Sequence, residues 1–165
     1  MQFAGRIFME KINRVIEDQK KLLVLIEKYE LKTRELLSCD FDDVTVLVAS
    51  RQGILDRMEV LRKEILRLCP EGSDEYAAFQ NSCDRDSLPD IYKQIFDLRQ
   101  QFNAYAFRAK TLEPEIIGRL SIHRDKMLVK IKENNSGQTA KAAKFFNTGM
   151  SAGNNFYFKE NKKQI

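Results

Sequence analysis

One histidine, His123, and three cysteines, Cys39, Cys69 and Cys83, are the residues of this chain whose types could carry nucleophilic or metal chemistry. A thiolate beside an imidazole makes a nucleophile, and three thiolates with an imidazole make a zinc site. The spacing supports neither. The cysteines are odd in number, none forms a CxxC, and His123 lies far along the chain. Each cysteine reads as a small apolar filler near a helix end. A serine or cysteine nucleophile would need His123 as its base. Yet His123 falls inside a helical pattern made by Ile116, Leu120, Met127 and Ile131, which predicts a packing or surface residue rather than a pH switch. There is no GxSxG, HExxH, P-loop or GxGxxG. Paired carboxylates are numerous, but they fall where solvated helix faces are expected. The expectation is a protein without catalysis, metal or cofactor.

Charge narrows the partners. Of 165 residues with a formal net charge of +4, residues 1–134 hold 23 Lys and Arg against 23 Asp and Glu. The whole excess lies in residues 135–165, where Lys141, Lys144, Lys159, Lys162 and Lys163 face only Glu160. Five lysines with nearby aromatics could contact phosphates and stack on bases. The neutral body argues against nucleic acid as the partner. No apolar run approaches the roughly 18 residues that cross a bilayer, so membrane insertion is not expected. The first ten residues meet charge too early for a signal peptide. A cytoplasmic chain without disulfides is the expectation.

The elements that must position these residues are helices. In the first, Phe8, Val15, Leu22, Tyr29 and Leu36 are each seven apart, with Ile12, Gln19, Ile26 and Thr33 between them. Ile16, Leu23 and Leu37 widen the stripe, which predicts more than one neighbour. Asp40 reads as the cap of a second helix. Its stripe is Val44, Leu47, Arg51, Ile54, Met58, Leu61, Ile65 and Leu68, ending before Pro70. Gln19 and Arg51 read as long side chains at a bundle edge that reach water. Residues 70–87 are loop-like, with one possible helical turn at 76–79. Ser87, Pro89 and Asp90 look like a cap, a first-turn proline and a capping-box acid.

The third stripe runs Leu88, Ile91, Ile95, Leu98, Phe102, Tyr105, Ala109, Leu112 and Ile116, and resumes past Pro114 to Ile131. The fold class expected is therefore all-α. An antiparallel αα-hairpin (about 8–38 and 41–69) is joined by a long third helix (about 88–133), kinked or broken near Pro114. Residues 1–134 form the bundle domain, and 135–165 a flexible, basic and aromatic tail. At ~1.5 Å per residue, 88–113 matches the hairpin, and a straight helix to 133 would overhang it by roughly 25 Å. Residues 114–133 either project past the bundle or turn back.

Two stretches carry a family resemblance. One is Leu36-Leu37-Ser38-Cys39-Asp40-Phe41-Asp42-Asp43 followed by Arg51-Gln52-Gly53-Ile54-Leu55. The other is Lys141-Ala142-Ala143-Lys144-Phe145-Phe146 with Asn154-Asn155-Phe156-Tyr157-Phe158-Lys159. In these the chain resembles the flagellar type III export chaperones of the FlgN and FliT kind. The loop 70–87 and Pro114 depart from that pattern. The resemblance implies binding to a hook-associated or filament-cap protein, with delivery to the export apparatus. Such clients end in amphipathic helices, which a helical groove accepts through i, i+3, i+4 and i+7 anchors.

The candidate partner-binding residues are Ile116, Ile117, Leu120, Met127, Leu128 and Ile131, with Phe145, Phe146, Phe156, Tyr157 and Phe158 of the tail. The bland reading of the first six is burial in the bundle or in a homodimer interface. That of the five aromatics is docking back on the bundle. A structural, oligomerising bundle is accordingly the alternative function.

Overall fold

The computed structural model describes residues 2–134 and 143–144. Few glycines and prolines interrupt the apolar repeats, and long helices result. They are α1 (Gln2–Ser38), α2 (Val44–Leu68), α3 (Asp74–Gln80) and α4 (Asp90–Glu133), with 3-10 turns at Phe41–Asp43 and Arg85–Ser87. No strand occurs among the described residues. No helix there is long and apolar enough to cross a membrane.

The widened stripe of α1 has its physical reason in the packing, since both α2 and α4 lie along α1. Arg51 meets Thr33 while Glu64 meets Arg14, so α2 runs antiparallel to α1. Gln19 meets Ile95, Glu30 meets Arg108 and Leu37 meets Arg119, so α4 runs parallel to it.

Pro70 ends α2 by pushing Cys69 into extended geometry. Gly72 then takes φ +84, a left-handed conformation that glycine adopts without steric cost. The helical turn expected at 76–79 is the longer α3. The Ser73 hydroxyl caps it by accepting from the Tyr76 N–H, and left-handed Asn81 ends it. Asn81 also donates to the Phe96 carbonyl, tying α3 to α4. Ala78 and Phe79 are buried and close this end of the bundle.

Several expectations about helix ends change. Ser87 is not the cap of α4, because it ends the 3-10 turn Arg85–Ser87, and its hydroxyl donates to the carbonyl of that turn's cap, Asp84. Pro89 stands at the cap position instead. Asp40 precedes a 3-10 turn and makes no side-chain cap bond, and α2 starts at Val44. Of the kink or break expected near Pro114, the break is absent, since α4 is continuous through it. A proline forfeits one backbone bond, here to the Lys110 carbonyl. Pro114 itself faces solvent, while Glu113 and Ile116 on either side are held by the bundle.

Gln19 and Arg51 do not reach water. They are 3% and 8% exposed. Gln19 donates to the Ile95 carbonyl across the α1–α4 seam. Arg51 donates from Nε to Thr33 Oγ1 at 3.1 Å, and from its terminal nitrogen to Tyr29 Oη at 2.7 Å and to Glu113 Oε1. Tyr29 also donates to Glu113. Beside this layer, the buried Glu30 carboxylate accepts from Arg34 and Arg108.

The polar layer divides the core. On one side a large cluster runs from Ile12 and Phe79 to Ala109. On the other, Leu36, Val44 and Ile116 form a small one, bordered by Leu37, Cys39, Leu47 and Leu120.

Candidate functional site

The hairpin turn and the end of α4 meet at the small cluster. α1 stops at Ser38, and the last carbonyls of a helix have no partner within it. Arg119 of α4 supplies one, donating to the Leu37 carbonyl at 2.7 Å and to the Cys39 carbonyl. A guanidinium at a helix C-terminus is also favoured by the helix dipole.

One turn further on, His123 is buried. Its Nε2 lies 3.1 Å from the Phe41 carbonyl, to which only a protonated nitrogen can donate. The imidazole rests on the Phe41 ring at 4.2 Å. Lys130 stands over the same ring at 4.8 Å and Lys126 at 5.9 Å, within the range of cation–π attraction. His123 is thus a packing residue, turned toward a carbonyl and an aromatic ring.

The sequence placed the end of the hairpin near Pro114. In the structure α4 meets the turn at Arg119 and His123, about two helical turns later. Residues 124–133 therefore project by roughly 15 Å, less than length alone suggested. Along this part lies an open groove of about 620 Å³, lined by Phe41, Asp42, Ile122, Asp125, Lys126, Val129 and Lys130.

The candidate residues divide. Ile116 is 1% exposed and belongs to the core with Leu36 and Val44, so it takes no part in any surface. Leu120 packs against that cluster. Ile117 is 58% exposed. Met127, Leu128 and Ile131 are half-buried on the projecting segment. Phe145, Phe146, Phe156, Tyr157 and Phe158 lie outside the described residues.

Sequence reasoning missed Ile122 and Val129, which are 59% and 54% exposed in the groove. They stand seven apart, a signal that was present but hidden beside the stronger Ile116–Ile131 stripe. It also missed Arg119 and Phe41 as the residues that join the helix to the turn.

Other chemistry-bearing groups have structural partners. Cys69 is buried, and desolvation pushes its thiol up to about 11. Burial works against ionisation of Glu75 too, but the hydrogen bond and charge of Lys11 at 2.6 Å, with hydrogen bonds from its own backbone and from Ser73, together outweigh it and leave the carboxyl below its usual value. Among the described residues, no group of three or more His, Cys, Asp or Glu could hold a metal ion. No protein-family model, curated protein or solved structure matches this chain.

Proposed function

We propose that this chain is a binding protein without catalytic chemistry, a cytoplasmic chaperone of the flagellar export kind. It holds an amphipathic helical segment of a hook-associated or filament-cap protein and prevents its premature assembly. The observation that carries this reading is the projecting end of α4. It extends past the hairpin with Ile122 and Val129 exposed in one groove, while Met127, Leu128 and Ile131, outside that groove's lining, are half-buried on its other faces. An amphipathic helix laid along that groove would cover apolar side chains at helical spacing. Lys126, Lys130, Asp42 and Asp125 at the rim offer charges of both signs for register. The chaperone family itself comes from the resemblance in residues 36–58 and 141–159.

Affinity purification of the full chain from a flagellated host, read by mass spectrometry, tests it. The expected result is recovery of a hook-associated or filament-cap protein, reduced at least tenfold by Ile122→Asp with Val129→Asp. Recovery of none, where a known chaperone recovers its own client, overturns the reading. The same groove would serve a second copy of this chain, which is the alternative. Light scattering that shows a stable dimer across micromolar concentrations, lost in the same variant, would favour that function instead.

A further inference from the structure

We infer that the hairpin end of the molecule opens and closes as a unit of its own, separated from the rest by the Arg51–Glu113 layer and hinged at Pro114. Four observations converge on this. The apolar core is not continuous, and beyond the layer the buried side chains among the described residues are Leu36, Val44 and Ile116 with the imidazole of His123. The first turns of α2 are thinly anchored, since between Val44 and Arg51 none of its residues is buried. On α4, likewise, nothing between Ala109 and Ile116 is buried. Pro114 removes a backbone hydrogen bond at the residue following Glu113, where the layer ends.

What fastens the unit is largely polar. Arg119 donates to the Leu37 and Cys39 carbonyls, and His123 to the Phe41 carbonyl. Water can replace these bonds when the unit opens, so their net contribution is small. The Nε–H of Arg119 is buried without an acceptor among the described residues. Opening would hydrate it, which favours the open state further. Segments with few buried apolar contacts and replaceable hydrogen bonds open below the global unfolding free energy. On the other side of the layer, the large cluster, together with α3, holds α1, α2 and α4 as one body. The unit would open in this way whatever the groove binds.

Hydrogen exchange on the full chain under native conditions tests it. Amides of 36–47 and 115–123 should exchange together, at least ~10-fold faster than those of 15–29 and 95–109 on the same helices. The hairpin turn is far from either chain end, so its exchange separates unit opening from fraying of α4. Arg119→Gln should speed both distal segments by a further ~5-fold and leave the proximal ones unchanged. Pro114→Ala, which restores the bond to Lys110, should slow them. Equal protection on both sides of the layer overturns the inference. So does rapid exchange of 115–123 with a protected turn. An unchanged rate in Pro114→Ala refutes the hinge.

Discussion

Arg51 on α2 and Glu113 on α4 form an ion pair across the middle of the bundle, with Tyr29 and Thr33 of α1 also accepting from the guanidinium. Three helices thus meet at one side chain. The pair is buried on the arginine side and partly open on the glutamate side. Removing either partner leaves the other charge poorly solvated, and that is where the cost lies.

Arg51→Met should therefore lower stability by about 2–4 kcal/mol, discounted from the full value of a buried pair because Glu113 is partly exposed. Urea denaturation followed by circular dichroism measures it. Arg51→Met with Glu113→Leu should recover most of the loss, since no buried charge is then left alone. A double variant less stable than the single one would mean that the pair itself stabilises the fold.

Glu30 and Glu75 both have carboxyls below the usual 4.5. Burial opposes ionisation at each. It is outweighed at Glu30 by the hydrogen bonds and charges of Arg108 and Arg34 together, and at Glu75 by the bond and charge of Lys11 together with hydrogen bonds from the backbone and Ser73. Each therefore stabilises the fold in full above the unfolded value, and the contribution fades as pH falls through the lower folded values. The urea midpoint should hold near neutrality and drop below about pH 4.5. In Glu30→Gln that drop should be smaller, and an unchanged acid limb would remove Glu30 from the explanation.

Cys69 is closed off and its thiol is held up to about 11, while Cys39 and Cys83 are half-buried. Alkylation of the native chain at about pH 8 should modify Cys39 and Cys83 first, and Cys69 at least ~100-fold more slowly, since the thiolate is the nucleophile. Peptide mass mapping over time assigns the sites. Labelling of Cys69 at the rate of the others would show that the α2–α3 junction opens readily.

Ile116 and Ile122 lie six residues apart on α4 but answer differently to substitution. Ile116→Ala should cost about 2–4 kcal/mol, because it empties the small cluster. Ile122→Asp and Val129→Asp should each stay within about 0.5 kcal/mol, because they change an exposed face. Thermal melts compare them directly. A large loss in Ile122→Asp would place that residue in a packed interface.

The seven-residue spacing from Phe8 to Leu36 made α1 legible, because a helix that packs on two sides must repeat its apolar residues. Pro70 marked the end of α2 through a local steric clash. Arg51 and Gln19 were misread as edge residues for the opposite reason. Their partners Glu113 and Ile95 lie 62 and 76 positions away, and nothing local announces them. Pro114 was read as a kink or a break because proline weakens a helix by itself. Whether the helix survives depends on what holds it on both sides, which is tertiary. The groove was legible only as an excess of helix length. Its residues Ile122 and Val129 became visible once Phe41 and Arg119 fixed how α4 rotates against the turn.

That α1 lies along both α2 and α4 has a consequence for the nascent polypeptide. The α1–α2 hairpin needs only its own first 68 residues, and contacts close in sequence form fast. The other side of α1, including Gln19, Glu30 and the carbonyls that Arg119 caps, must wait until the ribosome has made α4. For that interval the half-made chain presents an uncovered stripe with buried-type polar groups in water. The order of translation therefore makes α4 the step that closes this side of α1, and a chain truncated before residue 119 would leave the carbonyls at the end of α1 uncapped.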